Sequence, residues 1–295
     1  MKIFCILNPT AGGGKLVQPV CDELRRLFAE RQIASDIVLT QGHGEGTRLA
    51  AAAVQQGYTM IVAGGGDGTL NDIASGVVGT SATLGILPIG SGNGLARSLR
   101  IPLNYQAACR VLLTGRVRAI DVGQVGTRYF FVTSGVGFDA QIGKHYNEQV
   151  QAARGIWPYF TFALKQYFHY TPQPIQVTCQ GQTWDYTPFV ATVANAQQYG
   201  AGAIIAPQAV LDDGLLNLSI VPPINVFQAL WWLPRLFSGN IHTMPGFRSH
   251  QATALTITRA APGPAHVDGE PFEAGTMLAY TILPQALKVC VPSSA

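Results

Sequence analysis

The sequence predicts an α/β domain with a parallel sheet followed by a mostly antiparallel β domain, and three observations carry that prediction. Over roughly the first 120 residues, short apolar runs alternate with segments of helical period. Three of those runs end in loops rich in Gly, Ser, Thr and Asn: "NPTAGGGK" (8–15), "GGGDGTLND" (64–72) and "PIGSGNGLAR" (88–97). Beyond Asp121 the runs become β-branched or aromatic, often alternating, with turn residues between them. The expected division is 1–123 for the first domain and 124–283 for the second, with 284–295 returning to the first.

Each element follows from its pattern. "KIFCIL" (2–7) is a strand, and Val20, Leu24, Leu27 and Phe28 then recur at helical spacing. "SDIVLT" (35–40) is a strand, "GTRLAAAAVQQ" (46–56) a helix and "TMIVAG" (59–64) a strand. A helix starting near Thr69 runs through "LNDIASGVV" (70–78), "TLGILP" (83–88) is a strand, and "YQAACRVLLTG" (105–115) is a helix closed by its glycine. Such alternation implies a parallel sheet with right-handed crossovers. In the second half "YFFVTSGVGFD", "IQVTC", "FVATVANA", "LLNLSIV", "ALTIT" and "LKVCV" read as strands, interrupted by helical segments around 147–169 and 225–238.

Composition sets bounds. The 295 residues are ample for two cores. A hydrophobic share of 47% with 12% charged residues describes a globular chain, not a disordered one. A net charge of +3, with no Lys/Arg run, gives no footing for nucleic-acid binding. Five scattered cysteines without a CxxC pair read as buried free thiols. The start "MKIFCILNPT" lacks the long apolar core of a signal peptide, and no stretch is apolar enough to span a bilayer. The expected location is the cytoplasm, with peripheral contact at the inner membrane face. His145, His169, His242, His250 and His266 show no metal-ligand spacing and read as structural or surface residues.

The glycine-rich loops raise the functional question. In open α/β sheets ligands bind at the carboxyl ends of strands. Glycines there let backbone N–H groups approach phosphate oxygens, and the following helix adds its positive N-terminus. Asp67 is out of place as a direct phosphate neighbour; it fits a bridging Mg²⁺, a ribose or water contact, or a plain helix N-cap. Three such loops at three strand ends are expected to converge on one sheet edge. "NPTAGGGK" is not a Walker A loop, since Pro9 stands where its first Gly belongs and Leu16 where Ser/Thr belongs. "GHGEGT" and "GSGNGL" lack the third glycine of the dinucleotide fingerprint, and Ser91 is no nucleophile elbow.

With "SGVGFDA" (134–140), "APQAVLDDGLLNLSIV" (206–221) and "VDGEPFE" (267–273), these loops make six motifs in one order. Over essentially the whole chain they resemble the diacylglycerol-kinase-like lipid kinases, a family that includes sphingosine and ceramide kinases. The resemblance implies a two-domain, ATP- and Mg²⁺-dependent kinase of lipid metabolism. Its first domain would be similar to NAD kinases and phosphofructokinases, its second a β-sandwich, its active site the cleft. By motif, Asn8, Thr40, Gly65, Gly66, Asp67, Gly68, Thr69, Leu70, Asn71 and Ser91 would hold the nucleotide or its metal. Glu270 would accept the hydroxyl proton, with Asp268 beside it and Asp67 as the third catalytic carboxylate. Asp213, with the carbonyls of Val210 and Leu215, would hold a structural Mg²⁺, and Asp121 would join a water-and-metal network. Each has a plain alternative: "DGE" alone is a common hairpin turn, and "LDDG" makes a good turn with no metal.

The implied acceptor is diacylglycerol or a related glycerolipid. Many bacterial diacylglycerol kinases read "GTGND" where this chain has "GSGNG", so Gly94 removes a carboxylate and draws the motif towards sphingosine and ceramide kinases. A soluble acceptor such as NAD, and a catalytically silent nucleotide-binding regulator, are the remaining readings. "IWPYFTFALKQYFHY" (156–170) and "INVFQALWWLPRLF" (224–237) are candidates for a bilayer interface, for an acyl pocket, or for core-facing helices over the β domain. A homo-oligomer is compatible with the sequence.

Overall fold

The computed structural model describes residues 1–42, 44–149 and 165–293. It divides into one unit of Met1–Val122 with Pro284–Ala295 and another of Gly123–Leu283.

In the first unit β1 (Lys2–Leu7), β2 (Ala34–Leu39), β3 (Met60–Gly65) and β4 (Thr83–Pro88) are parallel, in the order β2-β1-β3-β4. Every residue of β3 is buried, which is why "MIVAGG" shows no polar alternation: helices cover both sheet faces. α1 (Val17–Glu30) buries Val17, Val20, Cys21, Leu24, Leu27 and Phe28 on one stripe. It packs with α5 (Tyr105–Thr114), while α2 (Glu45–Gln55) packs with α3 (Asp67–Ser75).

α3 starts at Asp67 and stops at Ser75, earlier at both ends than the periodicity predicts. Asp67, Gly68 and Thr69 carry no apolar side chain, so the first turn leaves no periodic mark. The short α4 (Gly94–Ser98) escapes detection because five residues hold barely one period. β5 (Arg116–Val125) passes into the second unit, and β18 (Met277–Val291) returns. The end of β18 lies parallel to β4, Lys288 opposite Thr83.

The second unit is a sandwich. One sheet is antiparallel in the order β14-β13-β10-β7-β16-β17. Its strands are β7 (Thr133–Gly137), β10 (Val190–Ala194), β13 (Leu216–Val221), β14 (Arg248–Ala252), β16 (Gly263–Val267) and β17 (Glu270–Ala274). The facing layer joins the start of β18 to β15 (Ala254–Arg259), β8 (Ile175–Cys179) and β9 (Gln182–Tyr186). Short pieces complete it: β6 (Arg128–Phe130), β11 (Gln198–Gly200), β12 (Ala203–Ile204), α6 (Phe138–Gln149) and α7 (Val226–Phe237).

Strand period two builds the core between the layers. Leu216, Leu218 and Ile220 of β13 meet Val177, Leu255, Ile257 and Tyr280 there. Asn217, Ser219 and Val221 point the other way and are also buried, because a second apolar cluster with Ile205, Met244 and Phe247 covers that face.

Two readings of this half change. "YFFVTSGVGFD" is not one strand but β6, β7 and the start of α6. The chain between the strands turns its N–H groups to the Asp268 carboxylate instead of a neighbouring strand. Of the helical segment expected around 147–169, most lies outside the described residues.

The five cysteines are free and buried, and burial pushes the Cys109 thiol up to about 12, far from a reactive thiolate.

Arg259 donates to the carbonyls of Gly263, Pro264, Ala274 and Gly275, tying β15 to the β16–β17 hairpin. Arg259→Met is therefore expected to lower unfolding stability by about 2 kcal/mol in urea melts. His250 stacks on Trp184 at 4.4 Å, and burial holds its imidazole below the ordinary value. The unfolded chain then binds a proton that the folded chain resists. The stability involved is complete above the unfolded value of ~6.5 and is lost as pH falls below it. His250→Phe should flatten the decline of the urea midpoint between roughly pH 7 and 5.

Candidate active site

Register alone lines up four strand ends in the first unit. Leu7 pairs with Leu39 and with Gly64, and Gly65 pairs with Pro88. The loops that follow emerge side by side. Asn8 Nδ2 donates to Thr69 Oγ1 (2.9 Å), and the Asn8 N–H donates to the Gly64 carbonyl (2.8 Å). The Gly12 backbone has φ +58°, and a Cβ there would lie 2.9 Å from the Ile89 carbonyl. Gly90 packs so closely on Gly66 that a Cβ would sit 2.4 Å from the Gly66 Cα. Residues 8–14, 64–69 and 89–94 thus form one surface of small residues.

Asp67 closes that surface. The N–H of Asn93 donates to its Oδ2 (2.8 Å) and the N–H of Gly94 to its Oδ1 (2.7 Å). The carboxylate of α3's first residue therefore caps α4. Arg97 Nε donates to the Gly92 carbonyl (3.0 Å) and holds the same loop from behind. The N-cap of α3 is Gly66, which offers no side chain to the first N–H groups of that helix. Those groups suit an anion.

The other nucleotide-site candidates take up varied positions. Thr40 follows β2, its N–H on the Leu7 carbonyl, at the same row of strand ends. Ser91 is exposed at the tip of the third loop, and Gly68 and Asn71 lie in α3 half-buried. Leu70 buries its side chain in the core, leaving only its main chain for any ligand. Asp121, at 1% exposure, accepts from the N–H of Gln285 (2.7 Å) at a bend of β18 where φ is +49°.

The second-unit candidates form separate groups. Asp268 and Gly269 have φ +48° and +85°, as a two-residue hairpin turn between β16 and β17 requires. The Asp268 carboxylate accepts three backbone N–H groups, from Phe131 (2.9 Å), Val132 (2.8 Å) and Thr133 (3.0 Å). Glu270 follows, half-buried, opposite Val267. Asp213 accepts from the N–H of Leu215 (3.0 Å) beside Gly214 at φ +74°, and Val210 is exposed nearby in the chain. Among the described residues no three His, Cys, Asp or Glu side chains converge as a metal cage. If the loops hold phosphates, a Mg²⁺ arriving with them would meet the Asp67 carboxylate only through the lone pairs that its two N–H bonds leave, and would keep its waters.

Sequence reasoning overlooked two groups. Asp72 accepts from the N–H groups of Gly46 (2.9 Å) and Thr47 (3.2 Å), capping α2 as Asp67 caps α4. Asp139 accepts from Tyr199 Oη (3.0 Å) and lies 3.1 Å from His266 Nε2, with Thr192 bonded to Tyr199 in turn. His266 is only 3% exposed. The sole sequence signal was that Asp139 and His266 sit in or beside the "SGVGFDA" and "VDGEPFE" segments.

Comparison with known proteins joins both halves to one family. Residues 2–125 match the diacylglycerol kinase catalytic domain, and residues 132–291 match the YegS C-terminal NAD kinase beta sandwich-like domain. A probable lipid kinase YegS-like protein of Pseudomonas putida is 31% identical, covering 88% of this chain and 86% of its own. One from Enterobacter sp. (strain 638) is 29% identical, covering 97% and 95%. The crystal structure of a diacylglycerol kinase from Bacillus anthracis str. Sterne shares the fold at 19% identity, with TM-score 0.74 over 99% of this chain and 97% of that one.

Removing either brace should unfold its loop before it alters anything else. Asp67→Ala and Asp268→Ala are each expected to lose about 2–4 kcal/mol, read from denaturant midpoints, because backbone donors lose their acceptor.

Proposed function

Because the chain belongs to the YegS-like lipid kinase family and is a kinase, we propose that it transfers the γ-phosphoryl group of ATP to a hydroxyl of a membrane lipid, with diacylglycerol or a related glycerolipid as first choice. The observation that carries this reading is the convergence of three glycine loops, and of the uncapped start of α3, at one row of strand ends. Phosphoryl transfer asks a protein chiefly to hold phosphates and acceptor in line and to offset charge. Backbone N–H groups of residues 12–14, 66–69 and 91–92 would hold the phosphates, with Asn8, Thr40, Gly65, Leu70, Asn71 and Ser91 around the nucleotide. Mg²⁺, when bound, neutralises phosphate charge, and Asp67 and Asp121 are the carboxylates that would share it.

Glu270 would take the proton of the acceptor hydroxyl, a contribution of about 10²–10⁴-fold in rate. Asp268 would act through Glu270, by fixing the hairpin that presents it. The turn at Asp213, with the carbonyls of Val210 and Leu215, would hold a second, structural Mg²⁺. The alternative acceptor is a sphingoid base or ceramide, favoured by Gly94, which supplies no carboxylate where many bacterial diacylglycerol kinases carry one.

Incubation with γ-labelled ATP, Mg²⁺ and a total lipid extract tests the reading. A labelled product with a glycerol backbone is expected; a sphingoid backbone selects the alternative, and no labelled lipid contradicts both. Glu270→Gln should lower turnover about 100-fold or more with Mg·ATP affinity unchanged, and wild-type turnover would remove Glu270 from its role. EDTA should abolish labelling, and excess Mg²⁺ should restore it.

A further inference from the structure

α7, "VFQALWWLPRLF", has two apolar stripes. The inner one, with Trp232 and Leu236, packs against the cluster of Val221, Met244 and Phe247. The outer one runs Phe227, Leu230, Trp231, Pro234 and Phe237, at i, i+3, i+4, i+7 and i+10. It faces outward: Phe227 is 80% exposed, Trp231 68% and Leu230 51%. No residue of α7 is buried, so the helix is not a core element. A helix on a protein surface ordinarily turns polar groups outward, and an apolar stripe of this kind marks a contact.

Charge identifies the contact. α7 has no carboxylate, and none occurs anywhere between Asp213 and Asp268, a stretch that carries Arg235, Arg248 and Arg259. The Arg235 guanidinium lies over both indoles, 4.6 Å from the Trp232 ring and 5.6 Å from the Trp231 ring. A cation held beside exposed Trp and Phe is the composition of a helix that lies in a lipid headgroup layer. The other polar side chain on the stripe's side, Gln228, is engaged in a capping box with Asn225. The Tyr167 hydroxyl donates to the Ile224 carbonyl just before α7, and its ring packs on Phe138 and Phe189, on the inner cluster. With 12 residues α7 is about 18 Å long, against a hydrocarbon core of about 30 Å, so it can lie in a bilayer face but not cross it. No helix among the described residues is long and apolar enough to cross.

We propose that the Phe227–Leu230–Trp231–Phe237 face of α7 seats in the headgroup–acyl boundary of an anionic phospholipid bilayer, with Arg235 at the phosphates. The site's purpose rests on the lipid-kinase reading, since docking would bring the chain to an acceptor that does not leave the membrane. The docking itself is measurable without nucleotide.

Sedimentation with vesicles of equal parts phosphatidylcholine and phosphatidylglycerol should carry the wild-type chain down, and phosphatidylcholine alone should carry much less. The double variant Phe227→Ser, Trp231→Ser should lose about tenfold or more in vesicle partition. Its melting temperature and its phosphorylation of detergent-dispersed lipid should stay at wild-type level. Arg235→Gln should weaken binding to the anionic vesicles alone, and less so at high salt. Brominated lipid should quench tryptophan emission in the wild type, and the Trp231→Phe variant should lose most of that quenching. Equal vesicle binding by the double variant overturns the proposal. A fall in its melting temperature does so too, since the face is then covered by the chain itself, as does a shift from dimer to monomer without vesicles, since a second copy then covers it. Intact vesicle binding with no labelled lipid in detergent contradicts the kinase reading alone.

Discussion

The Asp67 carboxylate is the constraint on which the first unit's loop surface depends. Glycine-rich loops have little side chain with which to hold one another, and each pays heavily in backbone entropy for being ordered. A single short acid at the start of α3, accepting one N–H on each oxygen from residues 93 and 94, fixes two of the three loops together. Asn8 then joins the third through Thr69. Asp67 is thus more than a free ligand waiting for a cation: any metal it shares must use the lone pairs left by these bonds. In the proposed site positive charge would reach the phosphates chiefly as backbone N–H groups, without a run of Lys or Arg.

The same device recurs twice. Asp72 caps α2 through Gly46 and Thr47, and Asp268 gathers the N–H groups of Phe131 and Val132, between β6 and β7, and of Thr133, which opens β7. In each case a carboxylate distant in sequence satisfies backbone donors that a helix or sheet would otherwise leave unpaired. The second unit therefore depends on Asp268 as the first depends on Asp67. Both residues sit in motifs that a mechanistic reading assigns to chemistry. Their geometry gives each a framework task, and Glu270 is left as the proposed proton acceptor.

Most of the fold was legible because burial wrote it into the pattern. The all-apolar "MIVA" run required a strand covered on both faces, and alternation in "LLNLSIV" required a pleated strand, although cover on its second face hid Asn217 and Ser219 from the polar side. Illegible elements were those whose determinants are distant. The break in "YFFVTSGVGFD" is set by Asp268, more than a hundred residues away. The early start of α3 and the existence of α4 are set by backbone turns with no apolar signature. Of the candidate site, convergence of the loops could be argued from strand order, but pairing could not: Asp72 with Gly46, and Asp139 with His266, join segments that no spacing rule connects. α7 shows the reverse limit. Its two apolar stripes suggested a core helix as readily as a surface one, and only exposure separates the two.

The three loops, braced by Asp67, are proposed as one surface for the phosphates of a nucleotide. Amide hydrogen exchange with and without Mg·ATP tests it directly, because the proposed donors are backbone N–H groups. Slowed exchange should appear together in residues 12–14, 66–69 and 91–92 and saturate at one nucleotide concentration. Protection absent from those three segments, or confined to one of them, would contradict the account.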